Sequence, residues 1–505
     1  MPVALAIAIL LLSGALLAPG LLVGPSLDAA VFSHVGSRLL DSVVPYLGAW
    51  DHKPPGIYLL SAGAQALLGW LGPWTADWLL SLGATAGLGF AVAAVLRRLD
   101  VSGWPRGAAA VGTTIFAGQF LLALGGGLTE APAALLVVSA LILALGSPSA
   151  SRFAGIGALI GGALLVSVQL VPAGAAVLFL SLALRPRGQR LRASFAMGAG
   201  IVVPLALVAV WLAVIGALPA AVDAVVHYST AYRGSSGEYG AILAAPVAAW
   251  TALASLFLVT PALLGTLSLA RISPMQRAVA IAAVAWVGLS LVLFVVQGRF
   301  YAHYAIPLAV PLGILGGVGL QRMAESWRRA RTLGRRAMIL MPMAATLAVS
   351  LFAGIVSGAM QLTPIQDEGG RMDAVAAHLR DLPSGTMLVW GNAPRLYDLA
   401  GRIPATRYSY LYPLTTPGYT TDRMIDEVAR AIVAKPPKIV VDAGSSAPGQ
   451  PGFLPLLIDR PIATDGRDLD LLDPLRSFVK ERYDLVATIA GWPIYVLRSA
   501  SEPAP

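Results

Sequence analysis

Long apolar runs dominate the chain from residue 3 to about residue 359. A helix needs about 20 predominantly apolar residues to cross the hydrocarbon layer of a bilayer, and most of these runs approach that length. Residues 152–184 add an apolar hairpin, which is split around Gln169–Pro172 into two shorter limbs. The pattern predicts about eleven membrane spans. Besides the two limbs of the hairpin, the spans are 3–23, 75–96, 107–124, 131–147, 193–214, 243–268, 278–297, 305–320 and 337–359.

The pattern changes after about residue 360, where short helical and strand-like stretches alternate with turn residues. Asp373–Arg380 is typical of a helix. Three short apolar stretches are typical of strands, namely Thr386–Trp390, Lys438–Val441 and Trp492–Leu497. We therefore predict an α-helical polytopic transmembrane domain over residues 1–359, followed by a small α/β domain over residues 360–505.

The composition also indicates an integral membrane protein. The chain is 57% hydrophobic and 12% charged, whereas soluble proteins contain about 25% charged residues. The absence of cysteine excludes a disulfide framework, a thiolate zinc site, an iron–sulfur cluster and a cysteine nucleophile. The net charge of +9 is better explained by cytoplasmic loops than by nucleic acid, so membrane lipids are the expected partners.

Arginine clusters between the apolar runs predict the orientation, because cytoplasmic loops carry an excess of Lys and Arg. If every cluster lies on the cytoplasmic side, the protein is a multi-pass plasma-membrane protein with a cytoplasmic N-terminus and an extracytoplasmic C-terminal domain. The apolar segment 54–72 then lies at the membrane interface. If this segment crossed the membrane, the arginines of the next loop would lie on the outer side. The first run lacks a basic region before it, which favours an uncleaved anchor over a signal peptide. The clusters are Arg97, Arg98 and Arg106; Arg185, Arg187, Arg190 and Arg192; Arg271 and Arg277; and Arg322, Arg328, Arg329, Arg331, Arg335 and Arg336.

The acidic residues of the membrane part gather on the predicted outer side, and the loop after the first span contains several of them. Asp28 follows an apolar run, where a carboxylate either deprotonates a hydroxyl or amine at the membrane surface or caps a short helix. Lys53 precedes two prolines, and a cation there either meets an anionic headgroup or extends its side chain to the interface. Tyr46, Asp51 and His52 lie in the same loop.

A second predicted outer segment, residues 125–130, combines three glycines with Glu130. Glycines let a backbone approach a ligand closely, although a flexible turn explains them equally well. Glu130 is expected to begin a span at the outer surface. Together with Asp28 it would supply the second carboxylate of an acid–base or metal-binding pair.

The third constellation lies at the predicted outer end of a span and contains Arg299, Tyr301, His303 and Tyr304. Arginine suits bidentate contact with a phosphate. Aromatic rings suit either sugar stacking or an interfacial belt. Because a belt explains the tyrosines but not Arg299 beside His303, we favour a binding function.

Three stretches of the chain resemble GT-C fold glycosyltransferases that use polyprenyl-phosphate sugars, in particular the protein O-mannosyltransferase and aminoarabinose (lipid A) transferase branch. The first stretch is similar to the first outer loop of that family. The second is similar to a segment, common in bacterial members, that contains an arginine followed by a His-Tyr pair. The third is similar to the start of the outer C-terminal domain. These stretches are Asp28–Pro55, Arg299–Pro307 and Trp390–Tyr408.

The resemblance implies a GT-C fold, a sugar donor carried on polyprenyl phosphate, and transfer with inversion at the anomeric carbon. It implies that Asp28 is the base and that Glu130 positions the acceptor or a divalent metal; no other cofactor is indicated. Lys53, Arg299 and His303 would bind the donor phosphate. Further substrate contacts would come from Tyr46, Asp51, His52, Tyr301 and Tyr304.

Two departures from the family pattern concern the acids and the phosphate ligands. The family often has an Asp-Glu pair in the first outer loop, whereas Ala29 follows Asp28 here. A lysine commonly precedes the proline of the hairpin at 152–184, whereas this chain has Gln169-Leu-Val-Pro172. One phosphate-binding cation is therefore missing, which leaves Lys53 and Arg299.

These features predict a membrane glycosyltransferase, similar to mannosyl- and arabinosyltransferases, that acts on an extracytoplasmic glycan, lipid or protein. A transporter or flippase of a lipid-linked substrate is one alternative, but it would show mid-span acids or broken helices and an internal repeat. A non-catalytic membrane scaffold is another, and it would leave the Asp28 and Glu130 carboxylates unexplained.

Overall fold

The computed structural model describes residues 3–234, 237–298, 301–416, 418–444 and 473–498. It divides into two compact units. The first unit contains Met1–Ser26, Pro54–Leu212 and Gly237–Leu362. The second unit contains Leu27–Lys53, Ala213–Ser236 and Thr363–Pro505. The first-loop segment Leu27–Lys53 and the segment Ala213–Ser236 therefore belong to the same unit as the C-terminal α/β region.

The described chain is mostly helical, as predicted. Its helices are α1 Val3–Val23, α2 Leu27–Leu40, α3 Gly56–Leu68, α4 Pro73–Arg98, α5 Trp104–Gly118, α6 Phe120–Ala123, α7 Glu130–Ala144, α8 Ala150–Val166, α9 Val171–Ala183, α10 Arg187–Val214, α11 Leu218–Val222, α12 Ser229–Gly234, α13 Gly237–Leu267, α14 Pro274–Gln297, α15 Ala309–Arg329, α16 Leu333–Arg380, α17 Arg395–Ala400, α18 Tyr412–Thr415, α19 Asp422–Ala434 and α20 Asp473–Arg482. A π-helical turn covers Asp223–Tyr228, and a 3₁₀ segment covers Ala302–Leu308.

Seven helices among the described residues are long and apolar enough to cross a membrane. They lie in α1, α4, α10, α13, α14, α15 and α16. Four shorter apolar helices accompany them, including α7 and the two limbs α8 and α9 of the predicted hairpin. The multi-pass membrane architecture agrees with the sequence, while the count of about eleven spans remains a prediction.

Helix α3 occupies the segment that we predicted to lie at the membrane interface. Its 13 residues rise about 20 Å, which is less than the ~30 Å thickness of the hydrocarbon core. Its polar residues are tied to α4, because Gln65 Nε2 donates hydrogen bonds to Asp77 Oδ2 at 3.0 Å and to Ser61 Oγ at 3.0 Å. Asp77 is therefore part of a buried polar network between α3 and α4.

Small residues bring neighbouring helices of the first unit into backbone contact. A Cβ atom built on Gly157 of α8 would lie 2.0 Å from the carbonyl oxygen of Met197 in α10, and one on Gly161 would lie 2.6 Å from that of Ile201. The Gly157-x-x-x-Gly161 pattern therefore allows α8 and α10 to pack closely.

The glycine triplet before α7 also serves close packing. Gly125, Gly126 and Gly127 have φ values of 82°, 108° and 82°, which are left-handed conformations that favour glycine. A Cβ atom on Gly125 would lie 2.4 Å from the Cα of Gly20 in α1, and Gly127 N donates a hydrogen bond to Ser81 Oγ at 2.7 Å. The close approach that the triplet allows is thus to the protein's own first helix.

A five-stranded sheet forms the centre of the second unit. Its strands are β1 Thr386–Trp390, β2 Ile403–Pro404, β3 Ile439–Asp442, β4 Tyr483–Ile489 and β5 Trp492–Leu497. The spatial order is β2-β1-β3-β5-β4, with β1 parallel to β2 and β3, and with β5 antiparallel to β3 and β4. The three strands expected from the sequence are confirmed, and β3 begins one residue later than predicted.

The end of helix α16 packs on this sheet. Val375, Ala376 and Leu379 are buried against strand residues such as Val389 and Ile494. The predicted helix at Asp373–Arg380 is therefore the last part of one 48-residue helix that begins at Leu333.

Arg402 completes the carboxyl end of α16. Its guanidinium donates hydrogen bonds to the carbonyl oxygens of Leu379 and Leu382, both at 2.7 Å, and of Pro383 at 2.6 Å. The last carbonyls of a helix have no partner within the helix, and a cation there also interacts favourably with the helix dipole.

We expect Arg402→Ala to destabilise the second unit by about 2 kcal/mol, because three carbonyls lose a charged donor. Amide hydrogen exchange of the full chain, measured in residues 379–390, should become faster. Arg430→Ala is the matched control, since Arg430 makes only an exposed ion pair with Asp426, and such pairs contribute little. Equal effects of the two substitutions would contradict this role of Arg402.

Candidate active site

Helix α2 carries the acid that the sequence singled out as a base. The helix begins at Leu27, so Asp28 lies in its first turn rather than before it. A carboxylate at this position is stabilised by the positive end of the helix dipole. The side chain is partly exposed, whereas the residues that follow, Ala29 to Gly36, are buried. The packing of α2 therefore holds a reachable carboxylate at one end of a fixed helix.

The same helix is linked to the C-terminal region by a polar contact between a histidine and an aspartate. His34 Nδ1 lies 2.9 Å from Asp398 Oδ1, and the His34 ring lies 5.7 Å from the ring of Tyr397. Asp398 and Tyr397 belong to α17, which also packs against α2. Asp28 is thus positioned by a helix that the α/β region holds in place.

The loop that follows α2 is built around Tyr46, which is fully buried. Its hydroxyl donates a hydrogen bond to the carbonyl oxygen of Lys53 at 2.9 Å. Burial raises the pKa of Tyr46, and the charge of Asp51 raises it further, so the hydroxyl stays protonated and able to donate. Tyr46 therefore fixes the backbone at Lys53, the predicted phosphate ligand.

Asp51 and His52 form a hydrogen-bonded group with Tyr410, which the sequence reasoning did not identify. Asp51 is 1% exposed. Its Oδ1 accepts a hydrogen bond from the Tyr410 hydroxyl at 2.5 Å and lies 3.0 Å from His52 Nδ1. The side chain of His52 is 19% exposed, so one edge of the imidazole is accessible.

Aromatic rings from three segments of the second unit surround this group. The Trp50 ring is 5.0 Å from that of Tyr228, and the His52 ring is 5.1 Å from Tyr228 and 5.7 Å from Tyr232. Trp50 also contacts Tyr408, Tyr410 and Tyr419. Centroid distances of 4.5–7 Å are favourable for such rings. We call Trp50, Tyr228, Tyr232, Tyr408, Tyr410 and Tyr419 the aromatic cluster.

A second tyrosine, aspartate and histidine group lies beside the aromatic cluster. The Tyr419 hydroxyl donates to Asp223 Oδ2 at 2.7 Å, and His227 Nδ1 lies 3.1 Å from Asp223 Oδ1. Burial is the main cause that raises the pKa of Tyr419, and the hydrogen bond to Asp223 raises it further. Unlike Asp51, Asp223 is 49% exposed and His227 is 68% exposed.

In the first unit, Glu130 is the first residue of α7, as predicted. It is 1% exposed, and Thr129 Oγ1 donates a hydrogen bond to its Oε1 at 2.9 Å. Its other oxygen, Oε2, is buried and has no hydrogen-bond partner among the described residues. A buried carboxylate oxygen without a donor is costly.

Tyr301, His303 and Tyr304 also lie in the first unit, and their rings pack together. The His303 ring is stacked on Tyr301 at 5.5 Å and meets the edge of Tyr304 at 4.7 Å. His303 is buried. Arg299, the other predicted phosphate ligand of this segment, lies outside the described residues.

A cavity of about 240 Å³ lies next to this segment within the first unit. It is mainly apolar, with hydroxyl groups from serine, threonine and tyrosine on its wall. Residues that line it include Phe116, Ser255, Ser290, Phe294, Tyr304 and Leu308.

The structure places the predicted site residues in two sets. Asp28, Tyr46, Asp51, His52 and Lys53 belong to the second unit, and Glu130, Tyr301, His303 and Tyr304 belong to the first. Within the described ranges, no three His, Asp or Glu side chains are grouped so as to hold a metal ion. The sequence reasoning missed Tyr410 and the other tyrosines of the aromatic cluster, although the alternation Tyr408-Ser-Tyr410-Leu-Tyr412 was a visible signal.

No protein-family model and no curated protein matches the chain. Two crystal structures of ArnT from Cupriavidus metallidurans do match it. The structure bound to undecaprenyl phosphate is 16% identical, has a TM-score of 0.53, and is matched over 98% of this chain and 98% of that chain. The apo structure is 15% identical, has a TM-score of 0.52, and is matched over 94% and 93% of the two chains. The chain therefore has a GT-C glycosyltransferase-like fold, as its sequence motifs indicated.

Proposed function

We propose that this protein is a membrane glycosyltransferase that transfers a hexose or pentose from a polyprenyl-phosphate donor to an extracytoplasmic glycan, lipid or protein. The observation that carries the proposal is the match to ArnT over 98% of both chains, in a structure that holds undecaprenyl phosphate. The first-loop residues of the second unit support it, because they combine a partly exposed acid with a backbone-anchored lysine.

In the proposed reaction, Asp28 is the general base. Its carboxylate takes the proton of the acceptor hydroxyl, and the acceptor oxygen forms a bond to the anomeric carbon. The bond between that carbon and the phosphate oxygen breaks, and its electron pair leaves with the polyprenyl phosphate. Attack from the face opposite the phosphate inverts the anomeric configuration.

The donor would be held through its phosphate and its lipid. Lys53, whose carbonyl is fixed by Tyr46, is the proposed phosphate ligand, together with Arg299 and His303. The apolar cavity of the first unit suits part of a prenyl chain, because lipid-binding pockets are lined mainly by apolar and aromatic side chains.

Glu130 is proposed to position the acceptor or a divalent metal. The buried Oε2, which has no donor among the described residues, supports a role in which a substrate hydroxyl or a cation satisfies this oxygen.

The proposed topology follows the positions of the arginine clusters, with the N-terminus in the cytoplasm and the second unit on the outer side of the plasma membrane.

The function is tested with the purified full chain in nanodiscs, incubated with radiolabelled polyprenyl-phosphate sugars and a panel of acceptor glycans, lipids and proteins. We expect sugar release or transfer with at least one donor, and none with nucleotide sugars. Tight binding of undecaprenyl phosphate without turnover of any donor would instead favour a carrier or a scaffold.

We expect Asp28→Asn to lower kcat at least 100-fold, since general base catalysis contributes roughly 10²–10⁴. Asp41→Asn is the matched control. Asp41 lies just after α2 and forms an exposed pair with Arg38 at 2.8 Å, so this change should leave the rate within about twofold. An Asp28→Asn enzyme with the rate of the control would remove Asp28 from the mechanism.

We expect Lys53→Ala to weaken the binding of undecaprenyl phosphate by roughly tenfold or more, because a charged hydrogen bond to phosphate is lost. The salt dependence of binding should also become smaller. Lys435→Ala, at the exposed end of α19, serves as control. Tryptophan fluorescence titration in nanodiscs measures the affinity, and unchanged binding in Lys53→Ala would argue against this phosphate ligand.

A further inference from the structure

The hydrogen bonds of Asp51 determine which nitrogen of His52 carries a proton. An ionised carboxylate can only accept hydrogen bonds. Since Asp51 Oδ1 lies 3.0 Å from His52 Nδ1, the proton of the imidazole must be on Nδ1. The other nitrogen, Nε2, makes no hydrogen bond to any described residue. The imidazole therefore presents Nε2 along its accessible edge.

The groups packed around His52 would accommodate a positively charged ring. A carboxylate that is 1% exposed is costly to bury unless it is paired with a positive group and hydrogen-bonded. Tyr410 supplies a neutral donor at 2.5 Å, and His52 supplies the group that can become positive. The rings of Tyr228 and Tyr232 beside His52 also suit a cation.

We propose that Tyr410 and Asp51 are positioning residues that hold His52 as a phosphate-binding imidazolium, with Nε2–H directed at the leaving polyprenyl phosphate. This inference rests on the proposed function and adds a residue of the C-terminal region, Tyr410, to the donor-phosphate site of the first loop. Tyr410 acts through Asp51, and only His52 touches the substrate.

The charge change in the reaction explains why such a cation would act mainly on the rate. The phosphate of the donor is a diester with one negative charge. When the bond to the sugar breaks, the electron pair moves to the phosphate oxygen, and the polyprenyl phosphate leaves with two negative charges. The imidazolium keeps its proton throughout. Since it interacts more strongly with the product-like transition state than with the donor, it raises kcat.

The test is a double-mutant cycle on the full chain in nanodiscs, with Tyr410→Phe, His52→Ala and the combined variant. We expect each single change to lower kcat by roughly tenfold, with donor KM within about twofold. The combined variant should be no slower than His52→Ala, because Tyr410 has nothing left to position. Tyr483→Phe is the matched control, since it removes a tyrosine hydroxyl outside the aromatic cluster, one that donates to the carbonyl oxygen of Pro437 at 2.7 Å, and it should leave kcat unchanged.

A merely structural role of Tyr410 would give a different result. The decrease in kcat caused by Tyr410→Phe would then add to the decrease caused by His52→Ala, and this additivity would overturn the proposal. A normal kcat in either single variant would also overturn it. If Asp28→Asn is inactive while His52→Ala is normal, the inference fails and the proposed function stands.

Binding of undecaprenyl phosphate gives a readout that does not need turnover. We expect both single variants and the combined variant to bind this dianion equally and roughly tenfold more weakly than the unmodified chain. In ¹⁵N spectra of histidine-labelled protein, undecaprenyl phosphate should shift His52 Nε2 to the protonated range, and Tyr410→Phe should reduce that shift. If no donor is turned over but these binding results hold, the phosphate site is supported and the transferase function is not. Unchanged binding in all variants overturns the site.

Discussion

A buried carboxylate is the constraint on which the second unit depends. Asp51 is almost fully enclosed, and its Oδ1 accepts the Tyr410 hydroxyl at 2.5 Å and faces His52 Nδ1 at 3.0 Å. A buried charge needs such partners at good geometry, and removing one leaves an uncompensated group in a region of low dielectric. The hydrogen bond from Tyr410 to Asp51 therefore links the first-loop segment to a segment 359 residues later.

The end of helix α16 packs against the sheet of the same unit. Its first part is long and apolar enough to cross a membrane, and its last turns bury Val375 and Leu379 against the sheet. These 48 residues form one helix. Arg402 strengthens this end by bonding the last carbonyls. Within the second unit the sheet is thus packed on a helix end, and Asp28 itself lies on a helix, which suits a site that needs accurate positions.

The sequence was most informative where the signal is local. Apolar runs located the helices, and short β-rich stretches located β1, β3 and β5. Strands β1 and β3 are buried on both faces, which demands continuous apolar residues. The exposed edge strand β4, with alternating and partly polar residues, gave no comparable signal. The assignment of Leu27–Lys53 and Ala213–Ser236 to the C-terminal unit depends on pairs such as Tyr410 with Asp51 and Tyr419 with Asp223. Such pairs have no period or spacing by which one sequence could reveal them.

The two tyrosine, aspartate and histidine groups show why geometry alone does not identify a functional site. Their hydrogen-bond distances differ by at most 0.2 Å, from 2.5 to 2.7 Å at the tyrosine and from 3.0 to 3.1 Å at the histidine. Asp223 and His227 are about half exposed or more, so water and salt screen their interaction. Asp51 is shielded from water, and the same charge then acts on His52 with far less screening. Burial, rather than hydrogen-bond length, is therefore what distinguishes the His52 group from the His227 group.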